Sequence, residues 1–140
     1  MDSNALLIFI VGVLIVGVLL VAVIMLTKKG TSRLDVDKYR LRWLAIEKQL
    51  RRDESSSAHL CVLNADKLLD QALRERGVKG ETMGERMKNT RELWSNPNAV
   101  WTAHKLRNQI AHETDVQVSY DDARRALASF KQGLKDVGAI

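Results

Sequence analysis

"ALLIFIVGVLIVGVLLVAVIML", Ala5 to Leu26, is a run of 22 residues without a charge, a proline or a strong polar group. At about 1.5 Å of rise per residue, a helix of this length crosses a hydrocarbon core of roughly 30 Å. The run divides the chain of 140 residues into an apolar first part and a remainder that must be read alone. A secretory signal would need a positive n-region, a shorter apolar stretch and a small-residue cleavage site, and the sequence has none of these. The expectation is a single-pass transmembrane anchor over residues 1–27, inserted through residues 5–26.

The flanks set the expected orientation. Asp2 is the only charged side chain before the run, whereas Lys28, Lys29 and Arg33 follow it. Positive charge is retained on the cytoplasmic side, so the N-terminus is expected outside and the C-terminal part in the cytoplasm, at the cell membrane. Residues 28–34 read as a juxtamembrane tether and 35–140 as one helical domain. Residues 28–140 hold all 22 Lys and Arg against 16 of the 17 Asp and Glu, a formal +6. A mild positive surplus suits a polyanion such as RNA or anionic lipid, although topology alone explains the cations nearest the bilayer. Gly12 and Gly17 miss the four-residue spacing of a GxxxG helix-pairing face. Any dimer is therefore expected to form through the soluble domain. Cys61 is the lone cysteine, which excludes an intramolecular disulfide and a cysteine-cluster metal site. Its apolar helical setting marks it as a small core residue.

Beyond the tether the apolar spacing is helical. Ser32 and Asp35 read as a capping box opening a helix with Val36, Tyr39, Trp43, Ile46 and Leu50 inward. "DESSS" breaks that pattern, and a second helix follows with Ala58, Cys61, Ala65, Leu68 and Ala72 in line, widened by Val62 and Leu69, ending near Gly77. "GVKGETMG" fits neither the dinucleotide fingerprint nor the Walker loop, and leads to a short helix expected over 85–94. Asn96 and Pro97 open the next, to about Glu113, with Ala99, Ala103, Leu106 and Ile110 inward. After a connection over 114–118, Ser119 and Asp122 form another capping box, before a last helix with Tyr120, Ala123, Leu127, Phe130, Leu134 and Val137 in register. Only "VQVSY" alternates with period two, and it is too short for a sheet. The fold class is all-α: one transmembrane helix, then a bundle of four to five antiparallel helices around Trp43, Trp94, Trp101 and Phe130.

The penultimate helix carries the candidate site. In "HKLRNQIAHE", His104 to Glu113, His104, Asn108 and His112 lie along one line at i, i+4 and i+8, with Arg107 beside it. A solvated face is the ordinary explanation of such a line on an amphipathic helix. The residue types point further. The stretch resembles the signature of HEPN domains, R-x(4–6)-H with a polar residue directly after the arginine, borne on a helix of an all-α bundle. Here Arg107 is followed by Asn108, and His112 comes after four intervening residues, with the small Ala111 just before it. Arg52 and His59 also fit the bare expression, but they lack the asparagine and fall across an expected helix break.

The resemblance implies a homodimer in which two such motifs meet and cleave RNA without metal or cofactor, through the ribose 2′-hydroxyl. Histidine is the side chain suited to exchanging a proton near neutral pH, which assigns the acid or base role to His112. Arginine offers a planar set of donors that keeps its charge, which assigns the phosphate to Arg107. Asn108 would orient the histidine or the substrate, and His104 is a catalytic auxiliary outside the family motif. No metal ligation is expected, because His104, His112 and Glu113 lack a tight spacing such as HExxH. Two other readings stand beside the nuclease. The same fold serves as a noncatalytic binding or dimerisation module, and an unrelated helical scaffold would offer an unidentified protein partner an exposed apolar patch around Trp94 and Trp101.

Overall fold

The structure, a computed structural model, describes residues 2–27 and 33–140 and divides the chain into two compact units, Met1–Thr31 and Ser32–Ile140. The expected cations Lys28 and Lys29, and the Ser32 half of the first capping box, lie outside the described residues. The first unit is one helix, α1 (Ser3–Thr27), whose apolar side chains are exposed along its length. Among the described residues it is the one helix long and apolar enough to cross a membrane.

The second unit is all-α. Its helices are α2 (Val36–Gln49), α3 (Ser55–Glu75), α4 (Met83–Asn89), α5 (Pro97–His112) and α6 (Tyr120–Asp136), with a 3-10 turn at Arg91–Leu93. Asp35 is itself the N-cap of α2, its carboxylate accepting from the Lys38 amide at 3.1 Å. The N-terminus of α3 has no side-chain cap. Instead Ser57 Oγ accepts from the Arg51 amide at 2.9 Å and so ties the incoming loop to the helix. Gly77, at φ +77°, takes the left-handed conformation that ends α3, with the Val78 amide returning to the Leu73 carbonyl.

α4 departs from the expected 85–94. Thr82 and Glu85 cap each other reciprocally, which starts the helix at Met83. Thr90 Oγ1 donates to the Arg86 carbonyl at 2.8 Å as the helix ends, and Trp94 folds inward with its indole N–H on the Met87 carbonyl at 3.0 Å. Asn96 with Pro97, and Ser119 with Asp122, open α5 and α6 as their residue types require.

α3 is the central helix, packed against α2, α4, α5 and α6. Its small residues Ala58, Cys61, Ala65 and Ala72 are buried, which brings neighbouring helices close. Gly133 does the same on α6, where an added Cβ would lie 3.1 Å from Leu69 Cδ2. Tyr39, Leu69, Leu73, Met87, Phe130 and Leu134 are fully buried around this axis. On α5 the inward set is rotated from expectation: Val100, Ala103 and His104 are buried, while Ala99, Leu106 and Ile110 are half-buried.

Two ion pairs brace α2. Lys131 of α6 donates to Glu47 at 2.8 Å, and Lys38 reaches Glu75 of α3 at 3.3 Å. Partial burial pushes the Glu47 carboxyl up, but the Lys131 ammonium and the Trp43 side chain together outweigh it and hold the group below its ordinary 4.5. The Gln71 amide, with Lys38, lowers Glu75 in the same way. A carboxylate whose pKa is lowered by folding stabilises fully above its unfolded value and loses that contribution as pH falls through the folded one. The melting temperature of the full chain in detergent, followed by tryptophan fluorescence, is therefore expected to hold from pH 7 to about 5 and to fall below it. Glu47→Gln with Glu75→Gln should flatten that acid limb; an unchanged limb would assign it to other groups.

Candidate functional site

The site begins with a charged residue in an apolar helix. Asp66 lies between Ala65 and the Leu68–Leu69 pair of α3, only 3% exposed. A carboxylate so buried requires a partner, and α5 supplies two. His104 Nδ1 donates to Asp66 Oδ1 at 2.7 Å, and Arg107 Nε lies 3.2 Å from Asp66 Oδ2. The latter contact is an ion pair without hydrogen-bond alignment, so the buried Nε–H has no true acceptor.

Asn108 closes the arrangement. Its Oδ1 accepts from Arg107 Nη1 at 2.9 Å, and its Nδ2 faces His104 Nε2 at 3.3 Å. Arginine only donates and a carboxylate only accepts, so the direction of every bond is determined. Arg107 donates to Asn108, Asn108 to His104, and His104 to Asp66. The imidazole therefore has its proton on Nδ1 and its lone pair on Nε2, the tautomer that the network assigns.

His104 is thus spent. It is 6% exposed, and both ring nitrogens are engaged. Through Asn108, His104, the expected catalytic auxiliary, is linked to the Arg107 guanidinium. His112 is the opposite case. It is the last residue of α5, exposed, and makes no side-chain hydrogen bond among the described residues.

All four expected residues line one open cleft of about 1020 Å³, together with Trp101 and Arg86. Trp101 packs edge-on against His104, with ring centroids 5.9 Å apart. Arg86, 3% exposed, is held by Asp70 at 2.7 Å, one turn along α3 from Asp66. Arg107 keeps 35% of its side chain exposed. It lines the cleft that His112 also borders. The arrangement places a guanidinium tied to α3 and an exposed imidazole on one cleft.

No family model, curated protein or solved structure matches this chain.

The second match to the bare motif has other duties. Arg52 stacks over the Tyr120 ring at 4.4 Å, and His59 lies between the Ser55 and Val116 carbonyls, its ring nitrogens 3.0 and 2.7 Å from them. The apolar patch expected around Trp94 and Trp101 is not formed. Trp94 is 5% exposed and Trp101 is half-buried in the cleft, because both indoles fill space between helices. Cys61 is buried with its thiol on the Ile46 carbonyl at 3.3 Å, and burial pushes its pKa up. Among the described residues no group of three or more His, Cys, Asp or Glu could hold a metal ion. Asp66 is the residue that sequence reasoning passed over. Its signal is an acid inside an apolar line, four residues before Asp70.

Proposed function

We propose that the soluble unit is a HEPN-like, metal-independent endoribonuclease that works as a homodimer on the cytoplasmic face of the cell membrane, anchored by α1. The observation that carries this reading is the closed ring Asp66–His104–Asn108–Arg107, which presents Arg107 to a cleft bordered by the unengaged His112. Arg107 would neutralise the phosphate and the charge that builds on it. His112 would exchange the proton with the 2′-hydroxyl or the leaving oxygen. One cleft offers one unengaged histidine, so the second proton-transfer group would come from the other protomer's His112. The orientation follows from Lys28, Lys29 and Arg33 after the span.

One observation favours a noncatalytic binding module instead: His104, Arg107 and Asn108 are one another's partners, as they would be in a latch between α3 and α5. The two readings separate in one experiment. The 140-residue chain in nanodiscs is incubated with mixed RNA in EDTA, while its mass is followed by light scattering. The nuclease is expected to be dimeric and to leave 2′,3′-cyclic phosphate ends, with 2′-O-methyl RNA intact. RNA bound but uncut by a folded dimer would replace the nuclease by the binding module.

A further inference from the structure

α2 has a second apolar face. Tyr39, Trp43 and Ile46 point into the core, yet Leu41 and Leu44 on the outer side are 69% and 49% exposed, and the exposed Lys48 continues their stripe at spacing 3 and 4. Beside this stripe, at the seam with α6, lies a pocket of about 420 Å³ lined by Arg40, Trp43, Leu44, Lys131, Lys135 and Ile140. Lys131 is engaged by Glu47. The side chains of Arg40 and Lys135 have no hydrogen bond or ion pair among the described residues. Asp37 lies on the stripe and Glu47 beside it, Glu47 paired with Lys131, against the remaining cations Arg40, Lys48 and Lys135.

We propose that this face of α2 rests on the anionic phospholipid headgroups of the bilayer that holds α1, with Leu41 and Leu44 at the acyl boundary and Arg40 and Lys135 on lipid phosphates. Exposed leucines ringed by lysine and arginine have the chemistry of an interfacial helix, and anionic leaflets attract such cations. Chain length supplies the second argument. Eight residues, 28–35, separate α1 from α2, and they span at most about 30 Å. Tethering at that range makes a weak contact effectively intramolecular, so modest affinity fills it. A second copy fits worse, since a stable interface needs about 800 Å² per partner and a two-fold pairing of this face would oppose like charges. The inference rests on α1 lying in a bilayer and is independent of any nuclease activity.

The test uses the full chain with Ala45→Cys carrying an environment-sensitive fluorophore. Ala45 is exposed on α2, and the native Cys61 is fully buried, so labelling is selective. The chain is placed one copy per nanodisc, in phosphatidylcholine alone or with about 30% phosphatidylglycerol. Only the anionic discs should shift emission to the blue and at least double quenching by doxyl lipid; about 0.5 M salt should reverse both. Arg40→Glu with Lys135→Glu, or Leu41→Ser with Leu44→Ser, should abolish the shift, while a label at Glu92→Cys stays aqueous throughout. Emission indifferent to lipid charge overturns the docking, as does a shift that depends on copies per disc. Failure to enter discs overturns the membrane reading of α1 and this proposal with it, and disc incorporation reports that separately.

Discussion

Asp66→Ala is expected to cost the soluble unit about 3 kcal/mol, toward the lower end of what removing one partner from a buried ion pair costs. The substitution strands two groups at once. His104 Nδ1–H loses its acceptor in a site where the imidazole is 8% exposed, so water recovers almost none of that bond. Arg107 loses its counter-ion, but it is 35% exposed and rehydrates in part, which keeps the expected cost below the top of the range. Asp66→Asn should cost about half as much, since an amide oxygen still accepts from His104 while the charge is gone. Urea unfolding of the full chain in detergent, followed by tryptophan fluorescence, measures both. A loss under about 1 kcal/mol for the alanine variant would show that the ring does not hold α5 against α3.

This ring also shows where reading the sequence stops. Helices were legible because their signals are local: Asn96 before Pro97, the Ser119–Asp122 box, and the 3–4 spacing of Phe130 and Leu134 each act within one turn. α4 was misplaced because the Thr82–Glu85 box lies inside a glycine-spotted segment that reads as linker, and because Trp94 packs as a core residue outside any helix. The site was half legible. Arg107, Asn108 and His112 stand out by type and spacing on one helix, and all three line the cleft. Their partner Asp66 lies 38 residues from His104, and no periodicity links two helices across that distance. The different fates of His104 and His112 depend on how far along α5 the packing of the bundle reaches. A difference of eight residues on one line cannot reveal that, because the bundle covers the middle of α5 and leaves its end open.

That difference in burial sets the last prediction. On the proposed nuclease function, His112→Ala is expected to lower RNA cleavage at least about 100-fold, the scale of a lost general acid or base, with stability changed by no more than about 0.5 kcal/mol, as for other exposed side chains. Arg107→Lys should lower cleavage similarly, for a different reason. It keeps the positive charge but gives up the planar fork that binds Asn108 and would bind the phosphate at the same time, and it should cost some stability through Asp66. The pair of variants therefore separates chemistry from scaffolding: activity and stability fall together at Arg107 and come apart at His112. A His112→Ala protein that cleaves at the wild-type rate would remove this histidine from the reaction. The ring of Asp66, His104, Asn108 and Arg107 would then act as a latch between α3 and α5, its one exposed cation left to bind an anion without transforming it.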